Sequence, residues 1–67
     1  MSIEFEQEAD GRWLAEIPDL PGTLAYGATR KEATDAVLAL ALRVLADRID
    51  HGEEVPQAVA DLFAVQA

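Results

Sequence analysis

The sequence predicts an α+β domain in which three short strands come first, one long helix follows and a last strand closes the chain, β-β-β-α-β. Three observations predict it. Ser2 to Glu8 and Arg12 to Ile17 alternate in polarity with a period of two, as half-buried strands do. Thr29 and Glu32 form the capping box that opens a helix. From Arg30 to Asp50 apolar residues recur at helical spacing until His51-Gly52 stops them.

In the first strand Ile3, Phe5 and Gln7 alternate with Ser2, Glu4, Glu6 and Glu8, so one face is acidic. Asp10-Gly11 is a turn signal, because glycine accepts positive φ without steric cost. In the second strand Trp13, Ala15 and Ile17 share one side; Arg12, Leu14 and Glu16 share the other. Residues opposite each other in an antiparallel pair lie on the same side of the sheet, so the pattern fixes the register. A two-residue loop would set Phe5 against Glu16 and Ile3 against Pro18. A three-residue loop, Ala9-Asp10-Gly11, sets Phe5 against Ala15, Ile3 against Ile17 and Gln7 against Trp13, with Glu8 beside Arg12. Only the second keeps apolar with apolar, so it is the expected one, with Gly11 left-handed in a bulge. The outer face then carries Glu4, Glu6, Glu8, Arg12, Leu14 and Glu16.

Pro18 and Pro21 lack backbone donors, so PDLPG is a shaped loop rather than strand. Two readings fit it: a rigid connection, or a stiff loop that presents Leu20 to a partner at low entropic cost. Leu24 to Gly27 is a short third strand. The helix has too much apolar surface for one sheet. One arc holds Ala33, Val37, Leu40, Ala41 and Val44; an adjoining arc holds Leu38, Leu42, Leu45 and Ile49. Together they span about 200°, against a little over 100° for a helix lying on a sheet. Length disagrees too, since 21 helical residues extend about 31 Å and a seven-residue strand about 23 Å. Leu38, Leu42, Leu45 and Ile49 are therefore the expected interface of a homo-oligomer, dimer or higher. Gly52 suits the left-handed position after the helix. Val55-Pro56 starts a short helical turn reaching about Asp61, and Leu62, Phe63 and Val65 form the terminal strand candidate.

The stretch DGRWLAEIPDLPG, the AYGAT step and the helix EATDAVLALALRVLADRI resemble the HicB-like antitoxin family. The matching positions are Asp10, Gly11, Trp13, Pro18, Asp19, Leu20, Pro21, Gly22, Gly27, Thr29, Glu32 and Ala33, within a resemblance that covers roughly residues 3 to 54. It implies a partial ribonuclease-H-like fold: an antiparallel three-stranded sheet, a long helix packed on it and a further C-terminal strand. It also implies an antitoxin that binds a small basic ribonuclease of the HicA type and blocks its RNA-binding active site. Complete HicB proteins usually carry a second, DNA-binding domain, helix-turn-helix or ribbon-helix-helix; none is expected within these 67 residues, so the DNA-binding half of the family's activity is not expected of them. Stand-alone relatives of that kind need not have a toxin, so a non-catalytic homo-oligomeric scaffold is the alternative reading.

Composition bounds the rest. Residues 1–67 make one small domain, and a chain this short buries only about 60% of its unfolded surface. No cysteine is present to add disulfides, so oligomerisation is the expected source of further stability. Neither a run of about 18 apolar residues nor a basic-then-apolar leader occurs, which predicts a cytoplasmic protein. Thirteen acidic residues against five basic give a net charge of −8. Such a field repels nucleic acid, whose phosphates are held by Lys and Arg, and draws in basic proteins. A solubilising role accounts for the same charge. Binding of a partner is expected through Glu4, Glu6, Glu8, Leu14, Glu16 and Leu20.

The residues offer little catalytic chemistry. His51 is the only histidine and stands where an imidazolium favours a helix C-terminus. Ser2 is the only serine, with no nucleophile motif about it. Asp50, Glu53 and Glu54 lack the ligand spacing of a calcium loop. A nuclease would need several carboxylates converging on metals about 4 Å apart, whereas Glu4, Glu6 and Glu16 are spread along an outer face. The expectation is no enzyme, no metal and no cofactor.

Overall fold

The computed structural model describes residues 1–63. Strands β1 (Glu4–Gln7), β2 (Trp13–Glu16) and β3 (Leu24–Gly27) precede the long helix α1 (Arg30–Asp50) and the single turn α2 (Gln57–Ala60). The strands form one antiparallel sheet in the order β1-β2-β3, an α+β arrangement. Its first hairpin has the register expected of a three-residue loop, with Phe5 opposite Ala15 and Gln7 opposite Trp13. The Glu8 N–H donates to the Arg12 carbonyl at 2.7 Å and the Gly11 N–H to the Glu8 carbonyl at 2.9 Å; Gly11 takes φ +92°.

The PDLPG loop is two consecutive tight turns. Leu20 N–H donates to the Ile17 carbonyl and Thr23 N–H to the Leu20 carbonyl. Pro18 and Pro21 supply the preset φ after each start, and Gly22 at φ +83° gives the second its type II geometry. The double reversal turns Leu20 inward. It is fully buried, so the expectation that it is presented to a partner is corrected. Beside it Thr23 is also buried, and its Oγ1 has no hydrogen-bond partner.

Helix α1 begins as its cap predicts. Thr29 Oγ1 accepts the Glu32 N–H at 3.1 Å, while Glu32 reaches back to the Ala28 N–H at 3.0 Å, one residue before the usual target. It ends in a Schellman motif: Glu53 N–H donates to the Arg48 carbonyl, Gly52 N–H to the Ile49 carbonyl, and Gly52 is left-handed. His51 caps the last turn through Nδ1 to the Asp47 carbonyl at 2.8 Å.

The core is thin: Ala15, Ile17 and Leu20 against Ala33, Val37, Ala41 and Leu45, with Ile3, Phe5, Trp13, Ala25, Val55 and Val59 around it. The helix buries an i, i+4 row rather than the arc expected. Such a row drifts about 40° around the axis at each step, so it is inclined to the helix. By its fourth member it has reached Leu45, leaving Leu40 and Val44 half-buried. Leu45 is thus a core residue, which corrects its assignment to a purely intermolecular surface. Small side chains at Ala33 and Ala41 bring the helix close to the sheet. The terminal strand is not among the described elements: α2 occupies Gln57–Ala60, Leu62 and Phe63 follow in a turn and a bend, and Val65 lies outside the described residues. No helix among the described residues is long and apolar enough to cross a membrane.

Candidate functional site

The face of the sheet turned away from α1 is ordered in rows by the two registers. Glu4, Glu16 and Leu24 make one row across the strands; Glu6, Leu14 and Tyr26 make the next. Glu4, Glu6, Leu14 and Glu16 surround a shallow hollow of about 90 Å³. Four of the six residues expected to bind a partner are therefore brought together. Glu8 stands beyond the strand end at the mouth of the hairpin, and Leu20 lies in the core.

Among the described residues no cation pairs with the carboxylates of this face. Among the described residues the ion pairs are Arg12–Asp10 at 2.8 Å, Lys31–Asp35 at 2.6 Å and His51–Asp47 at 3.3 Å. Arg12 is opposite Glu8 in the hairpin, yet its guanidinium binds Asp10 and covers the Tyr26 ring at 4.8 Å. Arg30, the other cation near the sheet, lies over the Phe5 ring at 4.2 Å. Glu4 and Glu16 are direct cross-strand neighbours of like charge, an arrangement that costs stability.

Sequence reasoning missed the apolar third of this face. Leu24 and Tyr26 are exposed, at 40% and 45% of their full accessibility. The signal was present: in LAYG the small residues Ala25 and Gly27 alternate with Leu24 and Tyr26, and only the small pair fits beneath a helix.

A second feature lies on the opposite layer. An apolar groove of about 360 Å³ runs beside α1, lined by its Leu38, Ala41, Leu42 and Leu45, by Met1, Ile3 and Ile17, and by Val59, Leu62 and Phe63. Of the helix residues expected at an oligomer interface, Leu38, Leu42 and Ile49 are exposed at 44%, 69% and 59%, whereas Leu45 is buried and lines the groove. Among the described residues no three His, Asp or Glu side chains are placed to share a metal ion.

Comparison of the chain with protein-family models, with curated proteins and with solved structures finds no match.

Proposed function

We propose that this chain is a non-catalytic, HicB-like protein-binding domain of the antitoxin type, which blocks a small basic HicA-type ribonuclease through the outer face of its sheet. The observation that carries the reading is the acidic cluster of Glu4, Glu6 and Glu16 around Leu14, which no cation among the described residues pairs. A cross-strand Glu–Glu pair costs stability, and a cation-rich partner that inserts Lys or Arg between the two carboxylates removes that cost. The exposed Leu24 and Tyr26 add an apolar and aromatic margin of the kind that anchors protein interfaces. The motif resemblance supplies the class of partner, and the negative field supplies the reason: an RNA-binding surface attracts acidic protein as it attracts phosphate.

The partner to test is a short basic protein encoded beside this one. Its RNA cleavage should stop on addition of an equimolar amount of the chain. Association should slow as salt rises, because exposed charges are screened over about 10 Å at 0.1 M. Glu4→Lys with Glu6→Lys should lower the on-rate and leave the fold unchanged, since both side chains are exposed. Undiminished cleavage at saturating chain, or an on-rate indifferent to salt and to the double reversal, would leave the acidic face as a solubilising surface of a scaffold.

A further inference from the structure

We infer that the outer edge of β3 takes up an extended segment of a basic protein by strand addition, the segment's backbone pairing with Leu24 and Tyr26. This rests on the partner being a basic protein, as proposed above, and adds how it docks.

The alternation of backbone bonds decides which groups the edge presents. In an antiparallel pair, residues that exchange hydrogen bonds alternate with residues that do not. The Ile17 N–H donates to the Thr23 carbonyl at 3.0 Å, so the bonded pairs continue at Ala15–Ala25 and Trp13–Gly27 along the register. The first hairpin agrees. Its Glu8 N–H donates to the Arg12 carbonyl, which turns the even-numbered residues of β2 toward β1 and leaves the odd-numbered ones for β3. Leu24 and Tyr26 therefore aim their N–H and C=O groups away from β2. β3 is an end strand of the sheet, and among the described residues no turn, loop or cap hydrogen bond reaches these groups.

The two edges of the sheet are defended unequally. Edge strands that avoid pairing carry charges, prolines or bulges. β1 has Glu4 and Glu6 among its four residues, with Glu8 just beyond. β3 reads Leu-Ala-Tyr-Gly, without charge or proline, and its Leu24 and Tyr26 are exposed. The helix is also incompletely covered above that edge. Leu38 and Leu42 line the groove with Met1 and Ile3, which lead into β1, so that flank of α1 lies on the β1 side. At about 100° per residue, Ala36 and Leu40 fall on the opposite flank, toward β3, and both are only half-buried. A strand added beside β3 covers them with its inward side chains.

Charge and row order set the chemistry of the segment. Its outward residue next to Leu24 extends the row of Glu4, Glu16 and Leu24. A Lys or Arg there stands two strand spacings, about 10 Å, from Glu16, within the combined reach of the two side chains. Tyr26 already has the Arg12 guanidinium over its ring at 4.8 Å, so an apolar or aromatic residue suits the next outward position better than a second cation. Inward residues are apolar. Strand addition of this kind draws affinity from main-chain bonds and specificity from alternate side chains.

The probe is the peptide acetyl-Lys-Val-Arg-Val-Tyr-Val-Lys-amide, followed by NMR on the whole chain. When it binds, exchange of the Leu24 and Tyr26 amides with heavy water should slow about tenfold or more, while the outward amides of Phe5 and Gln7 on the β1 edge keep their rates. Leu24→Pro deletes an outward donor without touching the β2–β3 bonds and should weaken binding about tenfold; Leu24→Ala, which keeps the donor, should weaken it less. The same peptide methylated at each backbone nitrogen keeps its charges, has no donors and should lose binding. Equal binding of both peptides, with Leu24 and Tyr26 exchanging as before, would leave a basic partner to the acidic face alone and overturn the inference while the proposed function stands. Absence of binding at about 1 mM peptide overturns it too. So does protection of the two amides in the chain alone that rises with its concentration, because a second copy then occupies the edge. If Leu24→Pro fails to fold, the exchange pattern and the methylated peptide still decide. Failure of the proposed function reads out separately, as RNA cleavage that persists at saturating chain.

Discussion

Gly27 and Ala33 approach so closely that the missing side chain of the glycine is part of the packing. A Cβ on Gly27 would run into the Ala33 backbone nitrogen and stand 2.8 Å from the Glu32 Cβ. The glycine is not needed for its backbone, because positive φ among the glycines occurs at Gly11, Gly22 and Gly52 alone. It is needed for space where β3 turns into the first turn of α1. Gly27→Ala is expected to destabilise the domain by about 1–3 kcal/mol, the cost of overpacking against unyielding backbone. Urea denaturation measures it, and a loss below about 0.5 kcal/mol would mean that the β3–α1 junction has slack.

Leu20 and Leu42 have opposite roles despite equal chemistry. Leu20 is fully buried beneath the double turn, while Leu42 is among the most exposed apolar residues. Leu20→Ala should cost about 2–5 kcal/mol through lost burial and the cavity left behind. A domain of this size has roughly 3–10 kcal/mol in all, so the variant should melt far earlier than the parent. Leu42→Ala should move the melting point of dilute, monomeric protein by little. Equal shifts for the two would contradict the inward placement of the loop.

What the sequence revealed and what it concealed divide along physical lines. The hairpin register was readable because one face of each strand is apolar, and a slip of one residue turns every side chain over. The ends of α1 were readable because Thr29, Glu32 and Gly52 act locally. Leu20 was not, since whether a turn points its middle residue in or out depends on how the chain beyond it returns. Leu45 belongs to the core as well as to the groove beside Leu38 and Leu42, which a helical wheel does not show because its angles ignore the inclination of the helix to the sheet. The exposed face of β3 went unread because four residues offer only two alternations. The terminal strand rested on a short apolar run, which carries no period that separates strand from turn.

The Asp10–Arg12 pair should be visible in acid. Asp10 accepts the Arg12 backbone N–H at 3.1 Å through Oδ1 and Arg12 Nε at 2.8 Å through Oδ2. The backbone donor first and the guanidinium second hold its carboxyl below its ordinary range. A lowered folded value makes the stabilisation fully present above the unfolded pKa, and it fades as pH falls through the folded one. The group is exposed, so the readout is local: the Asp10 carboxyl in an NMR titration should have its midpoint below that of the unfolded chain. Arg12→Ala removes only the second donor and should recover only part of the shift. A native midpoint at or above the ordinary value would mean that the turn does not hold this geometry in solution.

Glu16 offers a substitution whose effects on stability and on binding should have opposite signs. It faces Glu4 directly across the β1–β2 pair, and no cation among the described residues bridges the two. Like charges in that relation are unfavourable by a few tenths of a kcal/mol to about 1 kcal/mol, and opposite charges favourable by a similar amount. Glu16→Lys should therefore raise the unfolding midpoint, with a gain of about 0.5–1 kcal/mol that shrinks as salt is added. Glu16→Gln, which removes the repulsion without adding attraction, should fall between. A basic partner meets the reverse order: it should bind the parent best, the Gln variant less well and the Lys variant least. A surface selected only for solubility would give the stability series with no binding series beside it. A Lys variant that is less stable than the parent would mean that solvent already screens the Glu4–Glu16 pair, and the argument that a partner relieves their repulsion would fall with it.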